Sequence, residues 1–215
     1  MADPSAAREA GLPSPIALLH LASKTAYEAR LPGHGDPMLL LAAARLERMA
    51  GVVDGPALHE ASSRIPPQRA AAPPPGPPTS GLLDFDALLQ QASALAADEA
   101  PVVAAVTRAL RAEPPAPVRV RRWSGRLAAR TEVEFVLAAP AVSGPAEIAL
   151  AWAGCVDGEL WLLAEDGHYV LTPCDRGGAQ AAAWSDGGAL RIRIVNPGRS
   201  PAEYALSRGW MHDRA

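Results

Sequence analysis

The chain has 215 residues, 49% of them apolar and 20% charged, which is enough for a buried core and long enough for two small domains. With 20 Lys+Arg against 23 Asp+Glu the net charge is -3, so no overall positive field exists to gather nucleic acid or anionic lipid. No window reaches the ~18 successive apolar residues of a membrane helix, and Met1-Ala2-Asp3-Pro4 lacks the basic-then-apolar start of a secretion signal.

The first 13 residues read as a flexible arm. Ser14-Pro15 then supplies an N-cap and a first-turn proline, and Ile16, Leu19, Ala22 and Ala26 recur on one helical face to about Arg30. Leu31-Pro32-Gly33-His34-Gly35 breaks the helix. Asp36-Pro37 repeats the cap-then-proline start for a second helix through Leu41, Arg45 and Met49, with Gly51 as its stop. A second pair is expected between Leu82 and Ala112, capped by Asp84 or Asp86 and restarted near Asp98-Glu99-Ala100-Pro101. Ala17 to Ser23 matches Ala87 to Ser93, as either a duplicated hairpin or two generic amphipathic helices would. Residues 64–80 hold a dense run of prolines and read as a linker.

All five Trp lie beyond position 118, where short runs of Val, Ile, Leu and Trp alternate with polar residues between Gly-rich turns. Seven segments qualify as strands: 118–123, 131–139, 146–155, 159–164, 179–184, 189–195 and 202–207. Period-two reading turns Val133, Phe135 and Leu137 inward, with Ile148, Leu150 and Trp152, Leu190, Ile192 and Ile194, and Tyr204 and Leu206. Ala149, Ala151 and Ala153 share the opposite face of 146–155, which leaves room for a helix or a partner chain. The expected fold is therefore α+β: a four-helix region of two αα-hairpins over 14–113, then an antiparallel β-sandwich of about seven strands over 118–210.

Within the β part, Asp157, Leu160, Leu162 and Asp166, then Asn196 and Gly198, then Tyr204 and Leu206 form an ordered pattern. The pattern resembles that of bacterial pre-peptidase C-terminal-like domains, which are secreted β-sandwiches. The resemblance implies a periplasmic or secreted life without an activity; with Met1 as the native start, the chain would be cytoplasmic. The family often has consecutive aspartates before its alternating strand, and here Asp157-Gly158-Glu159 offers one carboxylate fewer. Calcium at Asp157, Glu159 and Asp166 stands against a plain solvated acidic turn.

In a sandwich of exported type the only two cysteines, Cys155 and Cys174, are expected to form a disulfide. The alternatives are two separate thiols, or a nucleophilic Cys174 served by His168, for which six extended residues span about 20 Å unless a turn intervenes. The five histidines show no metal-ligand spacing, and no G-x-S-x-G, phosphate loop or G-x-G-x-x-G occurs. No cofactor is expected. The arginines at 119, 121, 122, 126 and 130 surround Trp123 and read as a solvated strand face or an anionic-ligand patch. Trp161, on the opposite phase from Leu160 and Leu162, either stacks on a ligand or lies under the helices. Trp161, Arg121 and Trp123 are thus the candidate ligand-binding residues. They belong to a non-enzymatic exported module that recognises a protein, peptide or glycan; the alternative is a thiol-dependent hydrolase, or its accessory domain, using Cys174 and His168.

Overall fold

Helix α1 (Pro15–Ala29) starts behind Ser14, whose Oγ accepts the Ala17 N–H at 3.1 Å. Helix α2 (Pro37–Ala50) starts behind Asp36, which accepts the Met38 N–H at 2.8 Å, and stops at Gly51 in the left-handed conformation. Asp84 caps α3 (Phe85–Leu95) through the Ala87 N–H at 2.9 Å, and α4 (Ala100–Ala112) carries Pro101 in its first turn. The first two starts combine the cap and the proline legible in the chain, whereas α3 has the cap alone and α4 the proline alone. The structure is a computed structural model and describes residues 13–31, 33, 35–54, 82–114, 116, 120–137, 144–153, 158–163, 169–175, 177–185 and 190–210. The expected arm and the proline-rich linker lie outside them, apart from Pro13.

Nine strands are described: β1 (Val52–Asp54), β2 (Val120–Leu127), β3 (Thr131–Leu137), β4 (Gly144–Ala153), β5 (Glu159–Leu163), β6 (Tyr169–Pro173), β7 (Gly178–Ser185), β8 (Leu190–Asn196) and β9 (Ala202–Trp210). They form a five-stranded sheet in the order β1-β2-β9-β4-β7 and a four-stranded sheet in the order β3-β8-β5-β6. All pairings are antiparallel except β1 with β2, where Val52 faces Val120 and Asp54 faces Arg122. The fold is an α+β one with a sandwich at its C-terminal end. Two strands exceed the expected seven. β1 is three residues long, too short for alternation to register, and it brings a piece of the helical half into the sheet. β6 coincides with the stretch whose His and Cys had suggested chemistry.

Every side chain expected to point inward does so. Phe135, Leu137, Ile148, Leu150, Trp152, Leu190, Ile192, Ile194, Tyr204 and Leu206 form one core between the sheets, with Val133 against it. Asn196 closes one end of this core: its Nδ2 donates to the carbonyls of Leu127, Ala128 and Ser200, and its Oδ1 accepts the Gly198 N–H. The Asn-x-Gly of the resemblance is here a staple between two turns.

The helices lie on the outer face of the five-stranded sheet. That face presents Ala149, Ala151, Ala205, Ser207, Gly178 and Gly209, and α1 crosses β4, β7 and β9 on this bed of small residues. The alanines of β4 are thus covered by a helix. Approach is close enough that a Cβ on Gly209 would stand 2.8 Å from Ile16 Cγ1. At Gly177 two constraints coincide: φ is +78° and a Cβ would stand 2.7 Å from Tyr27 Cδ2. Gly177→Ala is expected to destabilise the chain by roughly 2 to 3 kcal/mol, from left-handed strain plus overpacking. Urea denaturation checks this, and a loss under about 1 kcal/mol would mean that α1 is not seated as described.

Beyond α1, one arginine ties the layers together. Arg122, on the helix side of β2, donates to Glu47 of α2 at 3.0 Å, to Asp54 of β1 at 3.0 Å and to the Leu83 carbonyl at 2.8 Å, with Asp84 at 3.8 Å. It is 6% exposed, so the expected solvated basic face does not include it. Burial raises the Glu47 carboxyl from the ordinary 4.5 to about 7, against the pull of Arg122.

Candidate functional site

The helical layer is seated through α1 on the five-stranded sheet, and no described helix packs against the four-stranded one. The reading in which helices bury Trp161 is thereby corrected: they follow the small residues of β4, β7 and β9. Strand register sets one row across the open face, Glu134 on β3, Arg193 on β8, Trp161 on β5 and Leu171 on β6. Trp161 is half-buried, and its Nε1 donates to Glu159 Oε2 at 2.8 Å, which fixes the indole along the strand. Arg193 and Arg191 flank Glu134 at 3.5 and 3.8 Å, and Leu171 is 42% exposed. The face combines one anchored aromatic ring with carboxylate and guanidinium groups on a rigid sheet. Such a surface can stack on an apolar ring face and hydrogen-bond polar groups around its rim.

The other two candidates do not join it. Trp123 is only 7% exposed, because its position opposite Leu206 turns it between the sheets, where the Arg208 guanidinium lies 5.8 Å from its ring centre. It is a core residue. Arg121 is exposed on β2 and faces Arg208 across β9; burial first, and Arg121 second, lower Arg208 to about 10. Arg121 therefore belongs to the other sheet, away from Trp161.

Cys174 is half-buried, and its N–H donates to the Gly158 carbonyl at 3.0 Å. Cys155, His168, Asp157 and Asp166 lie outside the described residues, so the disulfide, the thiol–imidazole pair and most of the acidic turn fall there too. Glu159, the third acidic residue of that turn, holds Trp161.

Sequence reasoning missed a cleft of about 470 Å³ between α1 and the β7 side of the sandwich, lined by His20, Lys24, Glu147, Thr172, Asp175 and Gln180 among others. Lys24 and Asp175 pair across it at 3.4 Å. Burial, then Lys24, hold the His20 imidazole below its ordinary range. These residues span the chain from 20 to 180, and no local motif links them; only the seating of α1 on the sheet assembles the cleft.

No protein-family model and no curated protein matches the chain. Among solved structures, it overlaps the pre-peptidase C-terminal domain of a Bacillus anthracis collagenase, with 11% identity over 42% of this chain and 76% of that one, at a TM-score of 0.28. The periplasmic g-type lysozyme inhibitor PliG of Aeromonas hydrophila overlaps with 12% identity over 43% and 87%, at a TM-score of 0.33. A carbohydrate-binding module of a Cellvibrio mixtus lichenase, solved with cellotriose, overlaps with 14% identity over 41% and 79%, at a TM-score of 0.28. These overlaps are too loose to carry a functional argument.

Proposed function

We propose that the chain is a non-enzymatic binding module that recognises a glycan on the open face of its four-stranded sheet, and that it works in the periplasm or outside the cell. The observation that carries this reading is Trp161: a large ring on a sheet face that no described helix covers, anchored by Glu159 and bordered by Glu134, Arg191 and Arg193. A pyranose ring has an apolar face for the indole and a rim of hydroxyls for carboxylates and guanidinium groups. The same proposal groups the sandwich with pre-peptidase C-terminal-like domains, on the residues from Asp157 to Leu206 that match their pattern. The exposed Leu171 beside Trp161 favours a peptide or protein surface as the second reading.

The test is affinity electrophoresis and calorimetry with β-glucans, xylans, mannans and peptidoglycan fragments. At least one polysaccharide should retard the wild type, and Trp161→Ala should weaken that binding by about tenfold or more. Binding that survives in Trp161→Ala, or no retardation by any glycan, would sink the glycan reading. Fractionation of producing cells tests the compartment.

A further inference from the structure

Sandwich edges are where chains pair with one another, and natural edges are usually short or guarded by charge or proline. Three of the four edges here are guarded in this way. β1 has three residues and ends in Asp54, β3 carries Glu132 and Glu134, and β6 has five residues and ends in Pro173. β7 differs: it is eight residues long, Gly178-Ala179-Gln180-Ala181-Ala182-Ala183-Trp184-Ser185, with no charge and no proline.

The hydrogen-bond phase shows which backbone groups this edge offers. The Trp152 N–H donates to the Gly177 carbonyl at 2.7 Å, and β4 pairs with β7 in the same register, Ala151 opposite Gly178. In an antiparallel ladder bonded pairs alternate, so Ala179, Ala181 and Ala183 turn their N–H and C=O groups toward β4, whereas Gly178, Gln180, Ala182 and Trp184 turn theirs away from it. Gly178 exchanges both of its groups with Asp175, at 2.8 and 3.1 Å. The outward groups of Gln180, Ala182 and Trp184 have no strand opposite them among the described residues, and the cleft beside Gln180 and Ala181 leaves space at that edge.

We propose that this edge pairs with β7 of a second copy of the chain, antiparallel about a two-fold axis at Ala182. That register sets Ala182 against the partner's Ala182 and Gln180 against the partner's Trp184, so every outward group meets its complement. A strand paired with its own copy meets only residues of its own sequence, and β7 suits this because it has no charge to repel its copy. The two five-stranded sheets become one continuous sheet. Because the axis is perpendicular to that sheet, both four-stranded sheets lie on the same side of the dimer. If the proposed glycan reading holds, on which this last step alone rests, the two Trp161 faces engage one polymer together and gain avidity.

Sedimentation equilibrium of the full chain and hydrogen exchange test the pairing. The wild type should approach twice its 22.4 kDa with increasing concentration. The amides of Gln180, Ala182 and Trp184 should gain protection as it does, while those of Ala179, Ala181 and Ala183 stay protected throughout. Ala182→Pro removes an outward N–H and leaves the β4 ladder intact, so it should fold with the wild-type circular dichroism and weaken the dimer about 30-fold or more. If that variant does not fold, Ala182→Lys takes its place, with the same loss of dimer expected. A wild type that stays monomeric to millimolar concentration, or a dimer without protection at those three amides, overturns the proposal. Neither readout depends on glycan binding, so each proposal fails separately.

Discussion

Trp152→Ala is expected to cost about 3 to 5 kcal/mol, whereas Trp161→Ala should cost about 1 kcal/mol. Trp152 is 2% exposed between Tyr204 on β9 and the Gly158 backbone, so close that a Cβ on Gly158 would stand 2.8 Å from its ring. Its Nε1 is buried without a partner among the described residues, which already subtracts from the native state. Trp152→Phe should therefore recover most of the loss, because it keeps an aromatic ring in the core and removes the orphaned donor. Chemical denaturation of the three variants decides the matter. A loss at Trp161 equal to that at Trp152 would overturn the strand register and the open face with it.

Arg122→Met should cost about 3 to 5 kcal/mol at pH 8, because it leaves the Glu47 carboxylate buried without its counter-charge. Met retains much of the side-chain volume, so the loss reports charge more than packing. The size should depend on pH. With Glu47 raised to about 7, the folded chain holds that proton more tightly than the unfolded chain does. Its contribution to stability is whole below about pH 4.5 and is lost as pH rises through 7. Without Arg122 the carboxyl rises further, so the deficit of Arg122→Met should shrink markedly at pH 5. His20 has the opposite slope, since its lowered imidazole contributes stability that is lost as pH falls. Comparison with Glu47→Gln isolates the carboxyl: the part of the wild-type decline between pH 5 and 8 that comes from Glu47 should vanish in that variant. An unchanged slope there would show that Glu47 titrates normally.

The local signals of this chain were legible residue by residue. Ser14, Asp36 and Asp84 with their neighbouring apolar periodicity place three helix starts, and Gly51 places a stop, because caps satisfy backbone groups within a few residues of themselves. Alternation placed the sandwich core for the same reason: in a strand, the face a side chain takes is set by its parity. Tertiary structure decided what covered each face. Trp123 and Trp161 are both strand tryptophans, yet one is core and the other borders solvent, because the first faces Leu206 between the sheets and the second lies on the sheet that the helices do not reach. Arg122 and Arg121 are adjacent, and opposite parity sends the first under α2 into carboxylates from three segments while the second stays in water. Parity can be counted along the chain, but the partner that meets each parity comes from tens of residues away, and only the packed layers bring it there.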